Sequence, residues 1–164
     1  MLTYLLAAVV LGVGGTLAID LWSILLKRSF GLPSLSYCHL GRWFLHMPSG
    51  TFVHPKIGAA SPKPGECMVG WTAHYSIGVS LSLGFLLLAS PTWLTRPTLL
   101  PALAFGIATV LIPFFVMQPS LGLGIASARA PNPAQARLKS LGTHTVFGLG
   151  LYLSALALAP WLAG

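Results

Sequence analysis

Four long apolar stretches, separated by polar and proline-containing segments, dominate the pattern of the chain. The stretches cover residues 2–26, 69–89, 98–117 and 141–162. Each is close to the roughly 20 residues that a helix needs to cross the hydrocarbon layer of a membrane. None alternates as a barrel strand does, and backbone groups in lipid must be hydrogen-bonded internally. The pattern therefore predicts an all-α membrane protein with four transmembrane helices in a single domain, residues 1–164.

The connection between the first two stretches, residues 27–68, contains several aromatic side chains and five prolines. Within it, Ser36 is a good N-cap, apolar side chains recur at helical spacing as far as Met47, and Pro48 follows. This pattern predicts a short helix in the connection. Because one face of that helix is apolar, we expect it to lie at the membrane interface, over the mouth of the bundle.

Composition and charge fit an integral membrane protein, since 55% of the residues are hydrophobic and only 7% are charged. Of the nine Lys and Arg residues, only Arg96 falls in the second connection, and the others flank or lie in the first and third. The positive-inside rule therefore places both long loops in the cytoplasm and both termini outside. Positive charges beside membrane spans are explained by topology and anionic lipid, so the predicted partner is the lipid bilayer and not nucleic acid.

The two cysteines, Cys38 and Cys67, both lie in the first loop and form no CxxC or CxxxC motif. Thiols in the cytoplasm are kept reduced. The sequence therefore predicts reduced cysteines and no structural disulfide.

Asp20 is one of only two acidic residues and lies inside the first predicted span, where an ionisable group is costly and usually functional. Small and polar residues at four-residue spacing indicate the face that a membrane helix turns toward its neighbours. Three such stripes occur: Gly12, Thr16 and Asp20; His74, Gly78 and Ser82; and His144, Gly148 and Tyr152. We therefore expect Asp20, His74 and His144 to point into the bundle. Their distances from the span ends predict a shared depth near the cytoplasmic face, where Gln118 closes the third span.

The first loop and the start of the second span add further candidate ligands, namely His46, His54 and Glu66. Histidine and carboxylate ligands without paired thiolates suit zinc, iron or manganese. The sequence therefore predicts a metal site of Asp20, His74 and His144, completed by some of His46, His54 and Glu66. A carboxylate left unligated, Asp20 or Glu66, would serve as the general base toward a metal-bound water in a membrane-embedded enzyme.

Two other functions stay open. Pro113 is expected to kink the third span and free a carbonyl near Thr109, as polar pathways require, which suits transport or proton transfer. A variant of that function places haem between His74 and His144. The third function is a non-catalytic accessory subunit whose polar residues only bond one another. Small residues predicted to face lipid, Gly84 and Gly106, would allow association with a second copy or with a partner in a membrane complex.

Short motifs along nearly the whole chain resemble one family, a numbered domain of unknown function whose members are small bacterial inner-membrane proteins. The motifs include Asp20-Leu21-Trp22, Gly41-Arg42-Trp43, Gly50-Thr51-Phe52-Val53-His54, Gly70-Trp71-Thr72-Ala73-His74-Tyr75, Pro113-Phe114-Phe115-Val116-Met117-Gln118-Pro119 and Val146-Phe147-Gly148. Ile19 departs from the methionine that the resemblance leads us to expect there. The resemblance implies a multi-pass protein of the bacterial inner membrane and no particular activity.

Overall fold

The computed structural model describes residues 2–33 and 36–163, and over those residues the chain is helical without strands. The described residues form six α-helices: α1 (Leu2–Phe30), α2 (Tyr37–His46), α3 (Glu66–Leu88), α4 (Leu99–Ala108), α5 (Gln118–Ser120) and α6 (Pro133–Ala163). The segments long and apolar enough to cross a membrane are Leu2–Phe30, Glu66–Leu88, Leu99–Ser120 and Pro133–Leu162. The prediction of an all-α chain with four transmembrane helices is confirmed.

The long helices extend beyond the apolar stretches from which they were predicted. Helix α6 begins at Pro133 instead of residue 141, and α1 ends at Phe30 instead of residue 26. The added turns carry Lys and Arg, which are good helix formers but which a hydropathy pattern assigns to the loops. Apolar length therefore marks the membrane-crossing part of each helix and not the helix itself.

The third span is interrupted in its second half. Helix α4 ends at Ala108, and a π-helical turn occupies Pro113–Met117 before α5 begins. Proline has no N–H, so the carbonyl of Thr109 loses its usual helical partner four residues later. The irregular backbone expected around Pro113 is therefore present.

The chain forms two compact units. The first, here the bundle unit, comprises Met1–Pro33, Tyr75–Thr109 and Gly142–Gly164. The second, here the loop unit, comprises Ser34–His74 and Val110–Leu141. That the whole chain is one domain stays a prediction.

Glycines bring the helices of the bundle unit into close contact. A Cβ added to Gly12 of α1 would lie 2.5 Å from the Cα of Val79 in α3, and one on Gly106 of α4 would lie 2.5 Å from the Cα of Gly148 in α6. The stripe that begins at Gly12 and the stripe that contains Gly148 thus face neighbouring helices, as expected. The prediction that Gly106 faces lipid is wrong, because its missing side chain is what allows α6 to approach.

Apolar side chains fill the bundle unit between these contacts. Leu11, Phe85, Phe147 and Leu151 are almost completely buried in one cluster. The ring centroid of Phe85 in α3 lies 5.2 Å from that of Phe105 in α4. This contact joins α3 to α4. Membrane helices of this kind hold together by packing and not by exclusion of water.

In the loop unit, α2 packs backbone to backbone against the first turns of α3. A Cβ on Gly41 would lie 1.7 Å from the carbonyl oxygen of Glu66, and one on Gly70 would lie 1.7 Å from that of Tyr37. Cys38 and Cys67 meet at this contact, with their Cα atoms 3.9 Å apart, and form a disulfide. The prediction of reduced cysteines without a disulfide is therefore wrong. The two glycines create a tertiary contact that cysteine spacing along the sequence does not reveal.

The segment after α2 folds back over that helix. Trp43 of α2 donates from Nε1 to the carbonyl of Phe52 at 2.8 Å, and Ile57 packs with Leu40 and Trp43 in a second apolar cluster. The helix occupies Tyr37–His46, close to the predicted extent, whereas its location at the membrane interface stays a prediction. Residues 52–61 therefore form a cover on α2.

A candidate polar layer and a histidine pair

The predicted site residues are divided between the two units. The bundle unit contains Asp20 and His144; the loop unit contains His46, His54, Glu66 and His74. Within the described residues, no group of three or more His, Cys, Asp or Glu side chains is placed to hold a metal ion. The six residues therefore have to be considered through the partners that each one has.

Asp20 of α1 accepts a hydrogen bond from Tyr75 of α3. The Tyr75 hydroxyl lies 2.8 Å from Oδ2 of Asp20, and both side chains are partly buried. The bond lies on the same line of contact as Gly12 and Thr16, which also face α3. It orients the carboxylate toward the neighbouring helix and away from lipid, as the four-residue stripe predicts.

His144 of α6 is held by Thr109, the residue after the end of α4. Nδ1 of His144 lies 2.7 Å from the Thr109 hydroxyl oxygen, and that hydroxyl also lies 2.5 Å from the Gly106 carbonyl. A carbonyl only accepts, so the Thr109 proton goes to Gly106 and the histidine must donate from Nδ1. Nε2 of a neutral His144 then carries the lone pair. This is the arrangement by which proteins orient metal-ligating and proton-accepting histidines.

Asp20 and His144 lie at a similar level of the bundle unit. A Cβ on Gly150 of α6 would lie 2.9 Å from Cβ of Ala18, and one on Gly142 would lie 3.7 Å from the Trp22 ring. The antiparallel helices α1 and α6 are therefore aligned so that Asp20 falls opposite the first turn after His144. Each of the four membrane-type segments thus contributes one polar residue to a group that we call the polar layer: Asp20, Tyr75, Thr109 and His144.

Glu66 of α3 forms a partly buried ion pair with Arg42 of α2. The two carboxylate oxygens lie 2.7 and 2.8 Å from Nη2 and Nε of Arg42, and Oε2 also accepts the backbone N–H of Lys63 at 2.9 Å. Nη1 of Arg42 donates to the carbonyl of Ala60 at 2.9 Å. Hydrogen bonding to Glu66 raises the pKa of Arg42. Both groups are satisfied by one another, which favours a structural role for Glu66 in fixing α2 and its cover to α3.

His74 packs among aromatic rings. Its ring stacks on Tyr37 with centroids 4.0 Å apart and approaches Trp71 edge-on at 6.0 Å. Both neighbours lie in the loop unit, at the contact between α2 and α3. The imidazole therefore contributes to the packing that the Cys38–Cys67 disulfide also secures.

His46 and His54 are the two predicted ligands that the structure places side by side. Their ring centroids are 5.0 Å apart, with the planes at 77°. Nε2 of His46 donates to the Ser61 carbonyl at 3.0 Å, which leaves the lone pair on Nδ1. His54 is only 5% exposed, and its Nε2 is buried without a hydrogen-bond partner among the residues that the structure describes.

The charge state of His54 suits a ligand. Burial lowers the pKa of His54, and the neighbouring His46 lowers it further. The ring is therefore neutral at physiological pH, as metal coordination requires. Two imidazoles bound to one tetrahedral zinc, each with a bond of about 2.0–2.1 Å, would have their centroids about 5.2 Å apart, close to the observed spacing.

The sequence model of a family described as "Protein of unknown function (DUF2938)" matches residues 9–158. The chain belongs to this family. No curated protein and no solved structure matches it significantly. The resemblance noted in the sequence is thus confirmed, and with four membrane-type helices it makes this DUF2938 protein a small multi-pass membrane protein.

Three residues of this DUF2938 protein with a clear role were not among the predicted site residues. Arg42 lies in α2, Tyr75 follows His74, and Thr109 lies four residues before Pro113. A threonine beside a freed carbonyl is a signal that could have identified Thr109. Tyr75 offers no such signal, because aromatic residues are common throughout this chain.

Proposed function

We propose that this DUF2938 protein is a multi-pass protein of the bacterial inner membrane that binds one divalent transition-metal ion through His46 and His54. The supporting observation is the 5.0 Å spacing of the two rings, which fits imidazoles that share a metal. Nδ1 of His46 and the buried Nε2 of His54 are the donor atoms.

The ligand types restrict the metal and suggest its use. Two neutral imidazoles without thiolate suit zinc first, with iron and manganese as the other members of the class. His46 is partly exposed, so an ion reaches the pair from solvent. A metal with two protein ligands retains positions for water or substrate, and a metal-bound water is the nucleophile of metal-dependent hydrolytic enzymes.

Metal titration of the purified, metal-stripped protein in detergent tests this proposal. We expect the wild type to bind about one equivalent of Zn²⁺, and His46→Ala and His54→Ala each to weaken binding at least about tenfold. His39→Ala is the matched control, because His39 lies on the same helix but its ring faces Gly58. Binding below about half an equivalent by the wild type, or equal binding by all four proteins, would refute the proposal.

A second candidate function, proton transfer, is favoured by the orientation of His144. The hydrogen bonds of Thr109 leave Nε2 of His144 as a proton acceptor inside a membrane-spanning helix, at the level of Asp20. Ionisable residues at such a depth typically belong to ion or proton pathways. Proton flux into liposomes should fall at least about tenfold in Asp20→Asn and His144→Phe. Flux equal to that of empty liposomes in the wild type would exclude this candidate.

A further inference from the structure

We propose that Gln118 supplies the third ligand of the His46–His54 site through its amide oxygen Oε1. This inference rests on the proposed metal site and extends it to a set of two nitrogens and one oxygen. Such a set leaves one open position on a tetrahedral ion, which is the pattern of catalytic zinc sites.

Two unsatisfied atoms in the loop unit carry the inference. Gln118 and His54 are each only 5% exposed, and Oε1 of Gln118 and Nε2 of His54 are both buried without partners in the described part of the chain. Buried polar atoms in proteins nearly always have a hydrogen-bond or metal partner. Both atoms lie in the loop unit and both can donate a lone pair, as ligands of a metal ion must.

The backbone joins the segments that carry these two side chains. The N–H of His54 donates to the carbonyl of Ser120 at 2.8 Å, two residues after Gln118. Gln118 itself begins a turn closed by the Leu123 N–H on its carbonyl at 2.9 Å. A Cβ on Gly122 would lie 2.2 Å from the carbonyl oxygen of Pro55, so the two segments are in direct contact beside His54.

The amide of Gln118 is oriented by Ser140 of α6. Its Nε2 donates to the Ser140 hydroxyl at 3.1 Å, which directs Oε1 to the opposite side. A hydrogen bond donated by the amide nitrogen also makes the amide oxygen a better electron-pair donor toward a cation. Ser140 is therefore a positioning residue for the proposed ligand.

The charge of this ligand set determines what occupies the open position. Two imidazoles and an amide are all neutral, so the full charge of a divalent ion stays uncompensated. Such an ion lowers the pKa of a bound water and attracts anionic oxygen ligands. The ligand class expected at the open position is therefore hydroxide or the carboxylate or phosphate oxygen of a substrate.

Variants at Gln118 test the inference in the full-length protein in detergent. We expect Gln118→Leu to weaken Zn²⁺ binding at least about tenfold, whereas Gln118→Glu, which keeps an oxygen donor, binds as tightly as the wild type or more tightly. Gln135→Leu, the same substitution at an exposed glutamine of α6, is the matched control and should change the affinity by less than about threefold. The visible spectrum of bound Co²⁺ should change in Gln118→Leu and stay close to that of the wild type in Gln135→Leu.

The possible results separate the two proposals. If the wild type binds one equivalent of Zn²⁺ through His46 and His54 but Gln118→Leu binds equally well, the inference about Gln118 fails and the metal site stands. If the wild type binds no metal, the site itself fails. If Gln118→Leu loses its helical circular dichroism, the Gln118→Glu spectrum decides, because a carboxylate ligand must alter the Co²⁺ bands.

Discussion

Hydrogen-bond direction decides which ring nitrogen of His46 and of His144 can accept a proton or bind a metal. The Ser61 carbonyl fixes the proton of His46 on Nε2, and Thr109 fixes that of His144 on Nδ1. The opposite nitrogen of each ring then carries the lone pair. The residue type alone therefore does not show which nitrogen of a histidine can bind a ligand. The hydrogen-bond acceptor of the ring determines it, because the nitrogen that donates to that acceptor carries the proton.

The stability of the metal-free protein should depend on pH through His54. Its pKa in the folded state is lower than the ordinary 6.5, so the unfolded chain binds the proton more tightly. The free energy of unfolding is then fully retained above about pH 6.5 and falls as the pH drops below it. In detergent with a chelator, we expect Tm to fall by about 2–5 °C between pH 7 and pH 5.

Variants of the pair provide the controls for this pH dependence. His54→Gln removes one titrating ring and should make the pH profile of Tm less steep than that of the wild type. His46→Gln removes only the neighbour that lowers the pKa further, so its profile should be intermediate. A profile of His54→Gln that is as steep as the wild type would show that another group is responsible.

The bond between Tyr75 and Asp20 should contribute a modest amount to the stability of the bundle unit. Interhelical hydrogen bonds in membranes contribute about 0.6 kcal/mol on average and rarely more than about 2 kcal/mol. We expect Tyr75→Phe to lower the free energy of unfolding by about 1 kcal/mol in a detergent unfolding assay. Tyr152→Phe, at a residue of α6 that packs against the apolar cluster of the bundle unit, should have little effect. An equal loss in both variants would argue against a specific role of the Tyr75 bond.

At the scale of helices, close backbone contact explains much of the fold. Glycine in a membrane helix lets a neighbouring backbone approach, and Gly12, Gly106 and Gly148 all serve this purpose. Gly84 does not, because nothing lies within 4 Å of an added Cβ. Glycine thus allows a close helix contact at Gly106 but makes no such contact at Gly84.

An alanine substitution should lower the stability at a glycine that contacts a neighbouring helix, but not at a glycine that faces open space. Gly12→Ala places a methyl group 2.5 Å from the backbone of Val79, so α1 and α3 must separate. Overpacking of this kind costs about 1–3 kcal/mol. Gly84→Ala meets open space and should be neutral or stabilising by up to about 1 kcal/mol, because alanine is the better helix former. Equal loss of stability in both variants, measured by thermal unfolding in detergent, would contradict the packing described for α1 and α3.

How much of the fold could be predicted depends on how far apart in the sequence the interacting residues lie. Local hydropathy predicted the four spans, and four-residue stripes predicted that Asp20 faces a neighbouring helix. The Cys38–Cys67 disulfide and the Arg42–Glu66 ion pair could not be predicted, because both depend on the contact of α2 with α3 through Gly41 and Gly70. Contacts between residues far apart in the sequence produce no periodic pattern of residue types from which they could be predicted.

For the whole molecule, two features point to opposite orientations in the membrane. All Lys and Arg residues except Arg96 flank the first and third connections, which the positive-inside rule assigns to the cytoplasm. The Cys38–Cys67 disulfide lies in the first connection, and disulfides persist mainly in oxidising compartments outside the cytoplasm. Positive charges act while the chain is inserted, before any disulfide exists, so we expect the charges to determine the orientation.

Single cysteines at two exposed serines test this orientation. In a background of Cys38→Ser and Cys67→Ser, Ser90→Cys places a thiol in the second connection and Ser61→Cys one in the first; both positions are exposed. A membrane-impermeant maleimide should label Ser90→Cys in intact spheroplasts and label Ser61→Cys only after permeabilisation. The reverse pattern would place the first connection, with the His46–His54 pair, on the oxidising side. The disulfide would then be stable in growing cells, and the metal would be taken from outside the cytoplasm.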